Sequence, residues 1–189
     1  MKSKILLVLF FIIAVMFSSC ERKRSPQNST SLSETNPKSA KTNLVFDERV
    51  CEKLTCDYCV LVFSITDGDT FKGLTKDKEE IKFRIYGIDA PEKKQAFGTK
   101  SKEYLADLIF GKTVGIKVDK KDRYGRSVVW IFTPDGTDVS AEMLKAGMAW
   151  HYKKYDDSRQ YADLENEARE RKINLWADAN PIEPWNFRK

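Results

Sequence analysis

From residue 58 onward, β-branched and aromatic residues gather in short runs, and each run stops at a turn signal. Cys59 to Thr66 (CVLVFSIT) predicts a first strand and Asp67-Gly68 a turn. Thr70 to Leu74 predicts a second strand and Thr75 to Glu80 a polar turn. Ile81 to Ile88 predicts a third strand, with Phe83 and Ile85 on one face and Arg84 and Tyr86 on the other. The period then changes. Thr99 to Phe110 predicts a helix with Tyr104, Leu105, Leu108 and Ile109 along one side and Gly111 as its stop. Thr113 to Val118 and Ser127 to Phe132 predict two more strands, and Pro134-Asp135-Gly136 a tight turn. Val139 to Ala146 predicts a helix closed by Gly147, and Ser158 to Lys172 a long charged helix that Leu175 and Trp176 pack back on the core.

Three strands, a helix, two strands and two helices predict an α+β fold. Its centre is a five-stranded, partly open Greek-key barrel, the OB-fold, carrying three helices. Barrels of this kind often bind oligonucleotides, but a fold does not assign a function.

The pattern fails upstream. Lys2 and Lys4 precede an unbroken apolar run, Ile5 to Phe17, which is the length of a signal peptide and short for a membrane span. The run ends in Phe17-Ser18-Ser19-Cys20, small residues before a cysteine, as in a bacterial lipobox. Residues 1–19 are therefore expected to be a signal peptide and Cys20 the lipidated first residue of an exported, membrane-anchored protein. Glu21 to about Asn43 is rich in Ser, Thr, Asn, Pro and Lys and cannot bury enough surface to fold. The expected division is a lipidated start and tether over 20–50 and a folded domain over 51–189, with its core at about 58–180.

Composition adds little to this. The chain has 189 residues, enough for one domain with a sizeable core plus appended segments. Formal net charge is +5; without residues 1–19 it falls to 31 basic against 28 acidic residues, or +3, too weak a balance to name a partner. The local distribution says more. Lys112, Lys117, Lys120, Lys121, Arg123 and Arg126 stand against Asp119 and Asp122 over 112–126, a basic stripe suited to a phosphate backbone or to a solvated strand edge. Beyond Cys20, the cysteines are Cys51, Cys56 and Cys59. An exported protein permits one disulfide among them, with the pairing open. Cys56 and Cys59 have zinc spacing but no second pair.

Absent chemistry narrows the field further. His151 is the single histidine, which excludes two-histidine ribonucleases and histidine-based nucleases and phosphodiesterases, and it reads as a packing or surface residue. No G-x-S-x-G elbow or Gly-rich phosphate loop is present. Acid–base work therefore falls to carboxylates. Asp69, Asp89 and Glu92 crowd one strand-rich stretch with Arg84. Crowded carboxylates raise each other's pKa and call for a cation, and an all-oxygen set suits a hard ion, calcium or magnesium. Pro91 holds Ala90 extended, which can present its carbonyl beside Asp89. Arg84 and Arg126 could clamp the oxygens of a metal-bound phosphate.

The segments DGDT, FRIYGIDAPE, DRYGR and INLW, over about Val60 to Asn180, resemble the staphylococcal nuclease (thermonuclease) family. The resemblance implies that Asp69, Asp89 and the carbonyl of Ala90 bind Ca2+. It implies that Glu92 is the general base and that Arg84 and Arg126 bind the scissile phosphate. The family often has Thr where this chain has Ala90. The implied reaction is phosphodiester hydrolysis of DNA and RNA to 3′-phosphates, by a monomer with little sequence specificity. Arg123 and Tyr124 are candidate substrate contacts, Tyr124 by stacking or merely as a turn residue. The competing expectation is a non-catalytic nucleic-acid-binding module on the same fold. The intact set Asp69, Arg84, Asp89, Glu92 and Arg126 favours the enzyme.

Overall fold

The computed structural model describes residues 44–189, so the expected signal segment, Cys20 and most of the tether lie outside it. The first element is already a departure from the sequence reading. Helix α1 (Glu48–Lys53) straddles residue 50, where the tether was expected to end. Asp47 caps it by accepting the N–H of Arg49, Val50 is buried, and Cys51 is disulfide-bonded to Cys59. Cys56 remains a free thiol.

Strands β1 (Tyr58–Ile65), β2 (Thr70–Leu74) and β3 (Glu80–Ile85) form an antiparallel meander. The run expected as one strand to Ile88 breaks at Gly87, which has φ +75°. The chain leaves the barrel there, and Ile88–Asp89 form a separate short strand, β4. Helix α2 (Gly98–Ile109) follows and ends at Gly111, φ +74°. Strands β5 (Thr113–Lys121) and β6 (Ser127–Phe132) form a hairpin longer than expected, because β5 continues through the charged residues to Lys121. Strand β6 then pairs in parallel with β3, and β5 pairs with β1, closing the barrel in the order β1-β2-β3-β6-β5. The five-stranded OB-type barrel expected from the element order is present, closed rather than partly open because β5 pairs with β1, and the fold is α+β.

The core fills the barrel. On β6, Ser127, Val129 and Ile131 point inward while Val128, Trp130 and Phe132 are half-buried outside. On β3, Phe83 and Ile85 are buried and Phe83 stacks on Phe71 of β2 with ring centroids 4.9 Å apart. Each such side chain contributes about 1.5–3 kcal/mol by leaving water. Helix α3 (Val139–Lys145) is capped by Asp138, whose carboxylate accepts the N–H groups of Ser140 and Ala141 and the hydroxyl of Tyr161. Strand β7 (Trp150–His151) pairs with β4, matching Asp89 with Trp150. Tyr161 lies on α4 (Arg159–Glu170), which Ser158 caps. Leu175 and Trp176 are buried in the 3-10 turn Asn174–Ala177, as expected, and a last helical turn, α5 (Pro184–Phe187), lies beyond the expected core. His151 is a packing residue, its Nε2 2.6 Å from Asp156 Oδ2. Among the described residues no helix is long and apolar enough to cross a membrane.

Candidate active site

Asp69 immediately precedes β2, whose Thr70 pairs with Arg84, and its carbonyl accepts the Ile85 N–H, so the meander itself brings Asp69 and Arg84 together. Arg84 Nη2 lies 3.2 Å from Asp69 Oδ2 and 3.0 Å from Asp89 Oδ1. Its Nη1 donates to the carbonyl of Ile85, which fixes the guanidinium plane. The Asp89 side chain is 1% exposed and that of Arg84 13%. Charges this deep persist only when paired. Asp69 Oδ2 also accepts the Ala90 N–H at 2.6 Å, and its Oδ1 accepts the Thr70 hydroxyl. Asp69, Arg84, Asp89 and Ala90 therefore meet at one point, where β2, β3 and β4 converge.

Negative charge exceeds what one arginine can offset. Burial, followed by the charge of Asp69, pushes the Asp67 carboxyl up to about 6. Burial likewise raises Asp89 above the ordinary carboxylate range, against the lowering effect of its hydrogen bond from Arg188. Asp67 was read from the sequence as half of a turn pair. In the structure it accepts the N–H of Asp69 at 3.2 Å and belongs to the acidic group, a role its D-x-D spacing could have signalled. Gly68 also differs in role. It needs no unusual φ; a Cβ there would lie 2.7 Å from the Ala90 Cβ and 1.9 Å from Ser101 Oγ. Glycine is required because the Asp69 loop, Ala90 and α2 are pressed together.

Glu92 follows on a turn in which Gln95 N–H bonds the Glu92 carbonyl and Gln95 Oε1 accepts the Glu92 N–H. Its side chain is 36% exposed, and Oε1 lies 2.6 Å from Arg188 Nη1. Arg188 had no signal in the sequence, yet it also pairs with both oxygens of Asp89.

Arg126 is not drawn into this group. Its guanidinium binds Asp122, with Nε and Nη2 both 2.7 Å from Oδ2. It immediately precedes β6, whose Val128 pairs with Arg84, so strand alternation carries Arg126 to the outer face that Arg84 shares. Arg123 and Arg126 lie over the ring of Tyr124, which is 67% exposed at the hairpin tip. Of the basic stripe, Lys112 is occupied in bonding the Asp107 and Leu108 carbonyls at the end of α2. Lys117 lies over Trp130, whose ring is 4.1 Å from that of Tyr86.

The donor set fits a hard cation. Asp69 and Asp89 are two buried carboxylates on one Arg84 nitrogen, with excess negative charge around them and a proline-bounded backbone beside them. Among the described residues no three His, Cys, Asp or Glu side chains converge as a metal site. A cation here would therefore need backbone or water oxygens to complete its shell, as the Ala90 carbonyl would provide.

Comparison with known proteins agrees with this geometry. Residues 82–178 match the family described as "Staphylococcal nuclease homologue". An "Uncharacterized endonuclease" of Haemophilus influenzae is 45% identical over 138 residues, 73% of this chain and 75% of that one. A second protein of that name, from Escherichia coli O157:H7, is 40% identical over 127 residues, 67% of this chain and 82% of that one. A "Micrococcal nuclease" of Shigella flexneri is 38% identical over 139 residues, 68% of this chain and 79% of that one. Barrel topology, the acid and arginine arrangement, and the extent of these matches lead to one conclusion: the chain belongs to the staphylococcal nuclease homologue family.

Proposed function

We propose that this protein is a calcium-dependent nuclease that hydrolyses phosphodiester bonds of DNA and RNA. The observation that carries the reading is the buried Asp69–Arg84–Asp89 contact, with Glu92 linked to it through Arg188. The family and the endonuclease names of its relatives support it.

Asp69, Asp89 and the Ala90 carbonyl would hold Ca2+, which when bound polarises the phosphate and offsets its charge. Glu92 is the general base. Its partly exposed carboxylate takes a proton from water, and the resulting hydroxide attacks phosphorus. The bond from phosphorus to the 5′-oxygen breaks, leaving a 3′-phosphate and a 5′-oxygen that takes a proton from solvent. Arg84 and Arg126 bind the phosphate oxygens and stabilise the charge that builds on them. Arg123 and Tyr124, exposed at the hairpin tip, contact the strand beyond the scissile bond.

The test is release of acid-soluble nucleotide from DNA and RNA with calcium, with magnesium alone and with chelator. Activity is expected with calcium and poor activity with magnesium, since few carboxylates and a backbone oxygen tolerate the longer calcium bonds. Equal turnover in magnesium alone would remove calcium dependence from the proposal. DNA binding without cleavage in calcium would favour a binding module. Export and anchoring at Cys20 form part of the same proposal. Cys20→Ser is expected to move the protein out of the membrane fraction or leave it unprocessed. Normal processing and retention would defeat the anchor.

A further inference from the structure

Arg188 is the one basic residue in contact with the acidic group that the proposed reaction does not use. It follows α5, and its guanidinium bridges two carboxylates. Nη1 lies 3.2 Å from Asp89 Oδ1 and 2.6 Å from Glu92 Oε1, and Nη2 contacts Asp89 Oδ2. With Arg84 on Asp89 Oδ1 as well, both oxygens of Asp89 are committed to guanidinium groups. A cation that approaches Asp89 therefore competes with two guanidinium groups for its oxygens.

The two arginines are held differently. Arg84 is 13% exposed and anchored in β3, whereas the Arg188 side chain is 43% exposed on a single helical turn. That turn is docked by Trp185, which stacks on Tyr152 at 5.3 Å and meets Trp150 edge-on at 5.7 Å. Gln95, which braces the Glu92 turn, also donates to the Ile182 carbonyl. The segment is thus fixed against the Glu92 loop, with its one exposed contact aimed at the acids.

From these contacts we propose that Arg188 is an intramolecular competitor for the cation site, a latch that occupies Asp89 and Glu92 until a divalent ion displaces it. The inference rests on the reading of Asp69 and Asp89 as the cation site. While latched, the guanidinium lowers the site's net negative charge and ties up the Glu92 oxygen the base would use. Release exposes both. Ion binding and the Arg188 contact are therefore coupled, and each weakens the other by the same factor.

The experiment is calorimetric titration of calcium into the purified protein and its Arg188→Gln, Arg188→Lys and Trp185→Ala variants, without substrate, with circular dichroism as folding control. Arg188→Gln is expected to bind calcium on the order of tenfold more tightly, a typical size for such coupling. Arg188→Lys keeps the charge and should stay near the parent. Trp185→Ala undocks the turn without touching the guanidinium and should tighten binding in the same direction. Equal or weaker calcium binding by Arg188→Gln overturns the latch while leaving the cation site intact. Calcium binding by none of the four proteins overturns the cation site itself, and the latch with it.

Discussion

Glu92→Gln is expected to lower turnover on DNA by ~10²–10⁴-fold, the usual range for loss of a general base. Glutamine is nearly isosteric, and its side-chain oxygen can still accept from Arg188, so the loop should keep its shape. What it cannot do is take a proton from water. Glu92 lies outside the hydrophobic core, and its turn is held by backbone and Gln95 contacts rather than by its own carboxylate. The fold should therefore survive, and calcium binding should change far less than turnover. The measurement is single-turnover cleavage at saturating calcium, with circular dichroism as control. A folded variant with near-parent turnover would remove Glu92 from the chemistry.

Arg84→Ala has its largest effect on stability. It strips the guanidinium from two carboxylates whose side chains are 9% and 1% exposed. Removing one partner of a buried pair costs about 3–5 kcal/mol, because the remaining charge is left uncompensated; here that charge is Asp69, since Asp89 keeps Arg188. Urea denaturation in chelator should show a loss of that size. Without the guanidinium the two aspartates should bind calcium more tightly than in the parent, so in saturating calcium the loss should shrink, by about 1.4 kcal/mol for each tenfold gain in affinity. A deficit unchanged by calcium would mean that the ion binds variant and parent equally and does not take the place of the missing positive charge.

Part of the fold could be read from the chain because β3 and β6 obey period two, while β1 and β5 show as short β-branched runs. Phe83, Ile85, Val129 and Ile131 face inward as their alternation requires. The nearness of Asp69 to Arg84 was also legible, since the short polar turn after Leu74 makes their strands neighbours, although the register was not. The break in the third strand was not. Ile85-Tyr86-Gly87-Ile88 looks like continuous strand until Gly87 takes φ +75° and Asp89 pairs with Trp150, a partner 61 residues away. Helix α1 escaped notice because Val50 is the only buried residue in it. The pairing of Cys51 with Cys59 depends on where α1 docks, which spacing alone does not fix. Arg188 was invisible for a related reason. Its partners lie 96 to 99 residues upstream, and nothing in Trp185-Asn186-Phe187-Arg188 marks it apart from an ordinary surface arginine.

The parallel pairing of β3 with β6 sets an order of events. Asp69 and Arg84 share one hairpin and can meet as soon as that local unit forms. Arg126 reaches their face only when Arg84 finds Val128, 44 residues on. Asp89 meets Arg84 five residues away, but its strand pairs with Trp150 and its second arginine, Arg188, comes from near the other end of the domain. Contacts of long sequence separation form slowly, because loop closure must precede their reward. The residues proposed to act on phosphate are therefore joined by contacts of very different sequence separation. In refolding, nuclease activity is therefore expected to return no earlier than the β3–β6 pairing that brings Arg126 to the face of Arg84.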